Sequence, residues 1–272
     1  MKKGLLLILF FPLALFAQEE KLYEFPRLRW GIEAGSDMFS GRTVKNSNIR
    51  ESQSYYYSYD PSYYDDFYNV GFMYDSYNYT RFYVGVKPEY SLNHRFAVAA
   101  GLRFSFNKSN FYSDQNYFLW KISEENLTTN YVRVKGIDQN NFYAGIPLEI
   151  KFFPGKNDLP VRKYFKVGML FNFLAASHNS VTFLNEEMKK YEDNISRQMG
   201  KPSFQSGYLY LGIGLKIGRM NHPFGSIELQ APIRVFKDKK LSSFIKEPDA
   251  GFGVQAAIYI PSGKKKLSYT YE

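Results

Sequence analysis

The feature that most constrains this chain is a two-residue alternation of apolar and polar or small side chains, which recurs in eight separate segments. In residues 96–106, FAVAAGLRFSF, one set of alternate positions is apolar or small, and the other set carries Arg103. Side chains of a β-strand point alternately to its two faces, so such a segment is a strand with one apolar face and one polar face. The eight predicted strands are residues 30–38, 82–92, 96–106, 142–152, 165–173, 208–217, 226–235 and 251–260.

The connections between these strands alternate between long and short. Long segments occupy roughly residues 40–80, 108–139 and 175–205, with an intermediate one at 237–249, and short turns fall at 93–94, 154–162 and 219–223. This order is typical of bacterial outer-membrane barrels, which place long loops outside the cell and short turns in the periplasm. We therefore predict an all-β fold: an eight-stranded antiparallel up-and-down transmembrane β-barrel with long extracellular loops and short periplasmic turns.

The composition agrees with one exported domain. The 272-residue chain has no Pro/Ser-rich linker, and its mean hydropathy of −0.39 is too low for a bundle of membrane helices. Residues 1–17 are predicted to be a signal peptide, because two lysines precede an uninterrupted apolar run. Residues 18–263 are then the barrel, and residues 264–272 a periplasmic tail. The absence of cysteine excludes a lipid-anchored lipoprotein, a disulfide framework and a cysteine-based metal site.

The polar faces of the strands fix which side turns inward. A cation facing lipid near the bilayer midplane costs about 2–4 kcal/mol, so the charged positions must face the lumen. An eight-stranded barrel is only wide enough for its own side chains, so these ions are expected to pair and close the lumen to solutes. The predicted lumenal ionic network consists of Arg29, Glu33, Asp37, Lys87, Glu89, Arg103, Glu149, Lys151, Lys166, Lys216, Glu228 and Arg234.

The first long loop is unusually rich in tyrosine, a residue that gives rigid, amphipathic contact area. One reading is a docking surface for a protein or glycan partner; the other is a loop that folds over the barrel mouth or sits among lipopolysaccharide headgroups. Outer-membrane lipid and lipopolysaccharide are expected partners in either case. The candidate partner-binding residues are Tyr55, Tyr56, Tyr57, Tyr59, Tyr63, Tyr64, Tyr68, Tyr74, Tyr77 and Tyr79.

The third long loop contains a segment with helical spacing. Val181, Leu184, Met188, Tyr191 and Ile195 recur every three or four residues before Gly200 and Pro202. This pattern predicts a short amphipathic helix that packs across the barrel mouth, with partner binding as the alternative.

No residue pattern predicts catalysis, a metal site or a cofactor. His178 follows the fifth strand beside Ser177 and Ser180, which leaves open a hydrolase at the barrel rim, although adjacency in sequence is not a nucleophile–base pair. Asp65 and Asp66 could contact calcium, but a solvated turn is the simpler reading. The net charge of +9 is expected to reflect turns and the lumen rather than nucleic acid binding. A narrow small-solute porin is a further alternative, which the charged interior opposes.

Four segments, WGIEAGSDMFSG, FYAGIPLEIKFF, YFKVGMLFNF and GYLYLGIGLKIG, resemble the PorT-like outer-membrane β-barrel family of Bacteroidetes-type bacteria. The most family-like feature is Ile146-Pro147-Leu148 followed by Lys151. The resemblance implies an eight-stranded barrel without a catalytic site, in a family of which one branch acts in protein secretion. The sequence therefore predicts a non-enzymatic outer-membrane barrel that presents loops for binding or supports an envelope or secretion assembly.

Overall fold

The structure is a computed structural model that describes residues 28–43, 48–51, 77–112, 117–125, 128–155, 159–199, 202–219, 222–235, 245–246 and 250–261. The predicted signal peptide and the predicted tail lie outside these residues. No helix in the described part of the chain is long and apolar enough to cross a membrane.

The described residues form almost only antiparallel β-strands. Eight places on a closed ring are filled in the order β1, β3, β4 with β5, β7, β8, β9, β10 and β12, and β12 pairs again with β1. The structure confirms the predicted fold of an antiparallel eight-stranded up-and-down barrel. The strands are β1 (Leu28–Thr43), β2 (Ile49–Glu51), β3 (Tyr77–Ser91), β4 (Phe96–Ala100), β5 (Leu102–Tyr112), β6 (Phe118–Glu125), β7 (Thr128–Phe152), β8 (Val161–Phe183), β9 (Gln205–Arg219), β10 (His222–Arg234), β11 (Ile245–Lys246) and β12 (Gly251–Pro261).

One ring position is shared by β4 and β5, because the strand is interrupted at Gly101. The backbone of β3 passes so close that a Cβ on residue 101 would lie 2.7 Å from the Cα of Lys87. Real Cβ atoms do not approach backbone that closely, so only glycine fits here. On both sides of this break the alternation continues, with Ala99 and Arg103 buried and Leu102 exposed.

The outer surface of the ring is apolar. Between the ends of the barrel, the outward positions of every strand are apolar or small in the described residues, and the large ones are exposed; Ile32, Val84, Val167, Ile213 and Ile258 are examples. Exposed cations on this surface lie near the barrel ends, as Lys108 and Lys163 do. We call the end that carries the long connections the loop-side end, and the opposite end the turn-side end.

On the loop side the sheet continues beyond the ring, where the sequence predicted a loop at residues 108–139. Strands β5, β7 and β8 run past the barrel, and β6 pairs with β7 and with β2. The outward hydroxyl of Tyr112 contacts both carboxylate oxygens of Asp138 at 3.0 Å. Partial burial, together with this hydrogen bond, raises the pKa of Tyr112. Polar outward residues obscure the strand pattern in this stretch, which explains why the alternation did not reveal it.

A hydrophobic cluster, here called the roof, lies at the loop-side end. A 3₁₀-helix (Glu186–Tyr191) leads into helix α1 (Glu192–Gln198), and Ile195 of α1 is fully buried. Trp120 Nε1 donates to Gln198 Oε1 at 2.6 Å, which ties α1 to β6. Val181, predicted to lie on the helix, belongs to β8 instead, because the strand extends to Phe183. The described buried members of the roof are Phe39, Ile49, Tyr79, Phe111, Phe118, Trp120, Val134, Ile137, Leu170, Val181, Ile195, Met199, Tyr208 and Tyr210.

Candidate functional site: the barrel lumen

The inward positions of the ring carry polar, charged and aromatic side chains, with glycines and a few apolar residues such as Ala97 and Ala99 between them. Nearly all of the predicted lumenal ions are buried there, and their contacts fall into three tiers along the barrel axis. The middle tier contains Glu33, Lys87, Arg103, Glu149, Lys166 and Glu228. The loop-side tier contains Asp37 and Arg81. The turn-side tier contains Arg29, Glu89, Lys151, Arg162 and Lys216.

Arg103 lies at the centre of the middle tier. Its Nε donates to Glu33 Oε1 at 2.7 Å, and its Nη2 donates to Gln255 Oε1 at 3.0 Å. The guanidinium carbon lies 4.1 Å from the ring centroid of Tyr83, within range of a cation–π contact. Arg103, which interrupts the apolar run at residues 96–106, therefore has polar and aromatic partners inside the barrel in place of water.

Two lysines complete the middle tier. Lys87 Nζ donates to Glu149 Oε1 at 2.7 Å and also pairs with Glu33. Lys166 pairs with Glu228 and donates to Gln230 Oε1 at 2.9 Å. These residues come from β1, β3, β7, β8 and β10, so the contacts cross the lumen in several directions.

The loop-side tier is centred on Asp37. Arg81 donates to Asp37 Oδ2 from Nε at 3.1 Å and from Nη2 at 2.6 Å. Tyr210 donates to the same oxygen at 3.0 Å, and Gln230 Nε2 donates to Asp37 Oδ1 at 2.6 Å. Since Gln230 also accepts from Lys166, it connects the loop-side tier to the middle tier.

In the turn-side tier, several cations surround Glu89. Lys151 Nζ donates to Glu89 Oε2 at 3.0 Å, Lys216 pairs with Oε1, and Arg29 Nη1 lies 3.8 Å from Oε1. Lys151 also donates to the Tyr259 hydroxyl at 3.1 Å.

The sequence pattern did not reveal two lumenal arginines. Arg81 and Arg162 are buried inward residues, which extending the alternation of β3 and β8 toward their N-terminal ends would have found. Arg234 lies at the loop-side end of β10, opposite the inward Tyr208, and is partly buried.

The tyrosine-rich loop is largely outside the described residues. Tyr79 is an exception to its predicted role, because it is an inward residue of β3 and only 1% exposed. Its ring lies 5.7 Å from that of Phe39 within the roof. Tyr77 begins β3, but its side chain is not among those described. The remaining candidates, Tyr55, Tyr56, Tyr57, Tyr59, Tyr63, Tyr64, Tyr68 and Tyr74, lie outside the described residues.

The histidine at the barrel rim is not arranged as a general base for its neighbouring serine. The Ser177 hydroxyl donates to Asn141 Oδ1 at 2.7 Å, and His178 is exposed. No three His, Asp or Glu side chains in the described ranges come together as metal ligands. Asp65 and Asp66 lie outside those ranges.

Comparison with known proteins gives similarity of structure only. No protein-family profile matches the chain, and no curated protein matches it. The N-terminal β-barrel domain of Pseudomonas aeruginosa OprF is 9% identical over 85% of this chain and 97% of its own, with a TM-score of 0.29. Yersinia pestis Ail, the attachment invasion locus protein, is 12% identical over 87% of this chain and 99% of its own, with a TM-score of 0.27. An outer membrane channel from Pseudomonas putida F1 is 8% identical over 89% of this chain and 100% of its own, with a TM-score of 0.24. At these identities and TM-scores the similarities carry no argument about function.

Proposed function

We propose that this chain is a non-enzymatic bacterial outer-membrane barrel whose lumen is closed to solutes and whose loop-side end presents a binding surface. The observation that carries this proposal is the separation of surfaces in the ring: the outside is an apolar belt, whereas the ions are buried and paired inside. A soluble β-barrel would bury its apolar residues and expose its ions to water.

The apolar belt supports a membrane location. Monomeric soluble proteins rarely expose contiguous apolar patches larger than about a few hundred Å². Here exposed apolar side chains continue around all eight ring positions, including Trp30, Phe104, Ile146, Leu229 and Val254. Acyl chains are the surroundings that remove such a surface from water, and among β-structures only a closed barrel satisfies its backbone groups there.

The ion pairs support a closed lumen. Hydrated ions would have to pass Arg103, Lys87, Glu149 and Lys166, which are linked by contacts of at most 3.7 Å. The buried roof residues lie at the loop-side end of the same lumen. Planar-bilayer recordings of the purified barrel should show no conductance steps above the lipid background.

A matched variant makes the conductance experiment decisive. Replacing Arg103 and Glu149 together by serine removes two long side chains of opposite charge and leaves the net charge unchanged. We expect this double variant to conduct where the wild type does not. Regular conductance steps from the wild type, with open times similar to those of the double variant, would contradict a closed lumen and favour the narrow porin.

The loop-side extension supports a role in binding. Strands β5 to β8 and α1 form an ordered platform above the ring, and β2 pairs with β6 on this platform. The tyrosine-rich residues 52–76 connect β2 to β3, so they begin and end beside that platform. We propose that these tyrosines contact a protein or glycan partner at the cell surface, with lipopolysaccharide headgroups as the alternative contact.

The docking proposal is tested by affinity capture from gently solubilised outer membranes. The bait is the full chain, compared with a variant in which Tyr55, Tyr56, Tyr57 and Tyr59 are serine. The control variant carries Tyr112→Phe, which removes a hydroxyl from the platform without changing the loop. A partner that the wild type and the control retain and the loop variant loses supports docking. Equal capture by all three proteins rules it out.

Three finer parts of the proposal rest on the sequence. Cleavage after Ala17 predicts a mature chain that begins at Gln18, which mass spectrometry of the isolated protein measures. The resemblance to PorT-like barrels supports a place in an envelope or secretion assembly, so a deletion strain should lose secreted protein if that branch applies. The rival rim hydrolase requires His178, and unchanged hydrolysis in His178→Ala would dismiss it.

A further inference from the structure

Positive charge is distributed unevenly among the three tiers of the lumen. In the loop-side tier Arg81 faces Asp37, and in the middle tier Lys87, Arg103 and Lys166 match Glu33, Glu149 and Glu228. The turn-side tier differs, because Arg29, Lys151 and Lys216 all contact Glu89, and Arg162 lies opposite Lys216 on the neighbouring strand. Glu89 is the one carboxylate among the described residues of that tier. Among the fully buried ions that the structure describes, all of the surplus positive charge is therefore at the turn-side end.

Both carboxylate oxygens of Glu89 already contact other cations. One carboxylate oxygen accepts from Lys151 at 3.0 Å, and the other pairs with Lys216 and has Arg29 at 3.8 Å. Lys151 also lies near a second carboxylate, because its Nζ is 4.0 Å from Glu149 Oε2. Arg162 makes no ion pair with any described residue.

Arg162 is held in place without a hydrogen-bonding partner for its Nε in the described part of the chain. Its guanidinium carbon lies 4.9 Å from the ring centroid of Phe153, and Lys216 Nζ lies 5.6 Å from the same ring. The side chain is 6% exposed and belongs to the second residue of β8, next to the turn-side opening. The aromatic ring of Phe153 thus contacts two neighbouring cations, Arg162 and Lys216, at the turn-side opening of the lumen.

Such an arrangement is costly unless something negative binds to it. Removing a cation from water costs several kcal/mol, and opposite charge or hydrogen-bond acceptors must offset that cost. Arginine offers a planar fork of N–H donors that matches the oxygens of phosphate and carboxylate groups, and lysine adds a point charge. The group that matches these donors is an oxyanion.

We propose that the turn-side tier is a binding site for a small oxyanion, a phosphate or carboxylate group, with Arg162 as the principal donor and Lys216 as its neighbour. In the membrane orientation proposed above this opening faces the periplasm. The site is independent of the loop-side binding surface, and its test does not depend on finding a partner.

The experiment is calorimetric titration of the full-length barrel, in a neutral detergent, with inorganic phosphate at constant ionic strength. The wild type should show saturable binding, and Arg162→Gln should weaken it at least about tenfold. The matched control is Lys163→Gln, which removes one cation from the adjacent residue on the exposed outer face. That control should bind phosphate as the wild type does.

Further arms identify the source of the anion and guard against misfolding. Acetate titrated in the same way separates a carboxylate site from a phosphate site, and binding of either one supports the proposal. Arg162→Lys keeps the charge and should retain more binding than Arg162→Gln if the latter is folded, which circular dichroism checks. If neither anion binds saturably to the wild type, the proposal is overturned. The same holds when the cause is a carboxylate of the chain itself that already occupies the site. Equal weakening in the Arg162→Gln and Lys163→Gln proteins also overturns it.

Discussion

Replacing Arg103 by methionine tests whether the lumenal ions hold the barrel together. The change removes the 2.7 Å hydrogen bond to Glu33, the 3.0 Å hydrogen bond to Gln255 and the contact with the Tyr83 ring. Removing one partner of a buried ion pair costs about 3–5 kcal/mol, because the other charge is left buried. Glu33 keeps Lys87, so we expect the lower end, a loss of about 3 kcal/mol or about 100-fold in the folding equilibrium.

The double variant separates pairing from the loss of bulk. In Arg103→Met/Glu33→Gln neither charge of the pair is left behind, so its cost should be smaller than the sum of the single costs. We expect a coupling energy of about 0.5–3 kcal/mol, the range for residues that share an ion-pair network. Lys135→Met removes an exposed cation on the β7 extension and should change stability by less than about 0.5 kcal/mol.

The assay is reversible urea unfolding in phospholipid vesicles, followed by the fluorescence of the chain's two tryptophans. Trp30 lies on the outer surface and Trp120 in the roof, so unfolding moves both into water. The reasoning is refuted if Arg103→Met costs no more than Lys135→Met, or if the costs of Arg103→Met and Glu33→Gln are additive.

Three further changes probe the outer face, the packing of the lumen and the roof by the same unfolding measurement. Val167→Arg places a cation on the outer belt, and we expect a loss of about 2–4 kcal/mol in vesicles; an unchanged midpoint would argue against lipid contact there. Gly214→Ala puts a Cβ 2.6 Å from the Tyr164 hydroxyl and should cost about 1–3 kcal/mol, more than Gly212→Ala, where the nearest atoms are at 3.2 Å. Trp120→Phe removes the hydrogen bond to Gln198, so the protection of α1 from amide exchange should fall by about five- to tenfold while the strands of the barrel keep their protection. Equal loss of protection in α1 and in the strands would show that this hydrogen bond does not hold α1 in place.

Part of the loop-side structure could not be read from the sequence, for a physical reason. The polar outward residues of the β5–β8 extension meet water on one face, and its inward residues meet α1, which lies far away in sequence. Alternation reports the contrast between two surroundings, and there the contrast is weak. Residues 108–139 therefore looked like a loop although most of the described ones are strand.

What the sequence determined by itself is the ring. Each of the eight predicted segments occupies its own position and extends at most one residue beyond the observed strands, several of which are much longer. The faces are determined because a shift of one residue would turn every charge toward the apolar face. Only the tertiary structure decided which charges meet. Arg81 reaches Asp37, Arg103 reaches Glu33, and four cations gather near Glu89, because closure of the ring brings distant strands within a few ångströms of one another. The surplus charge at the turn-side end is a property of that closure, and no segment of the chain carries it alone.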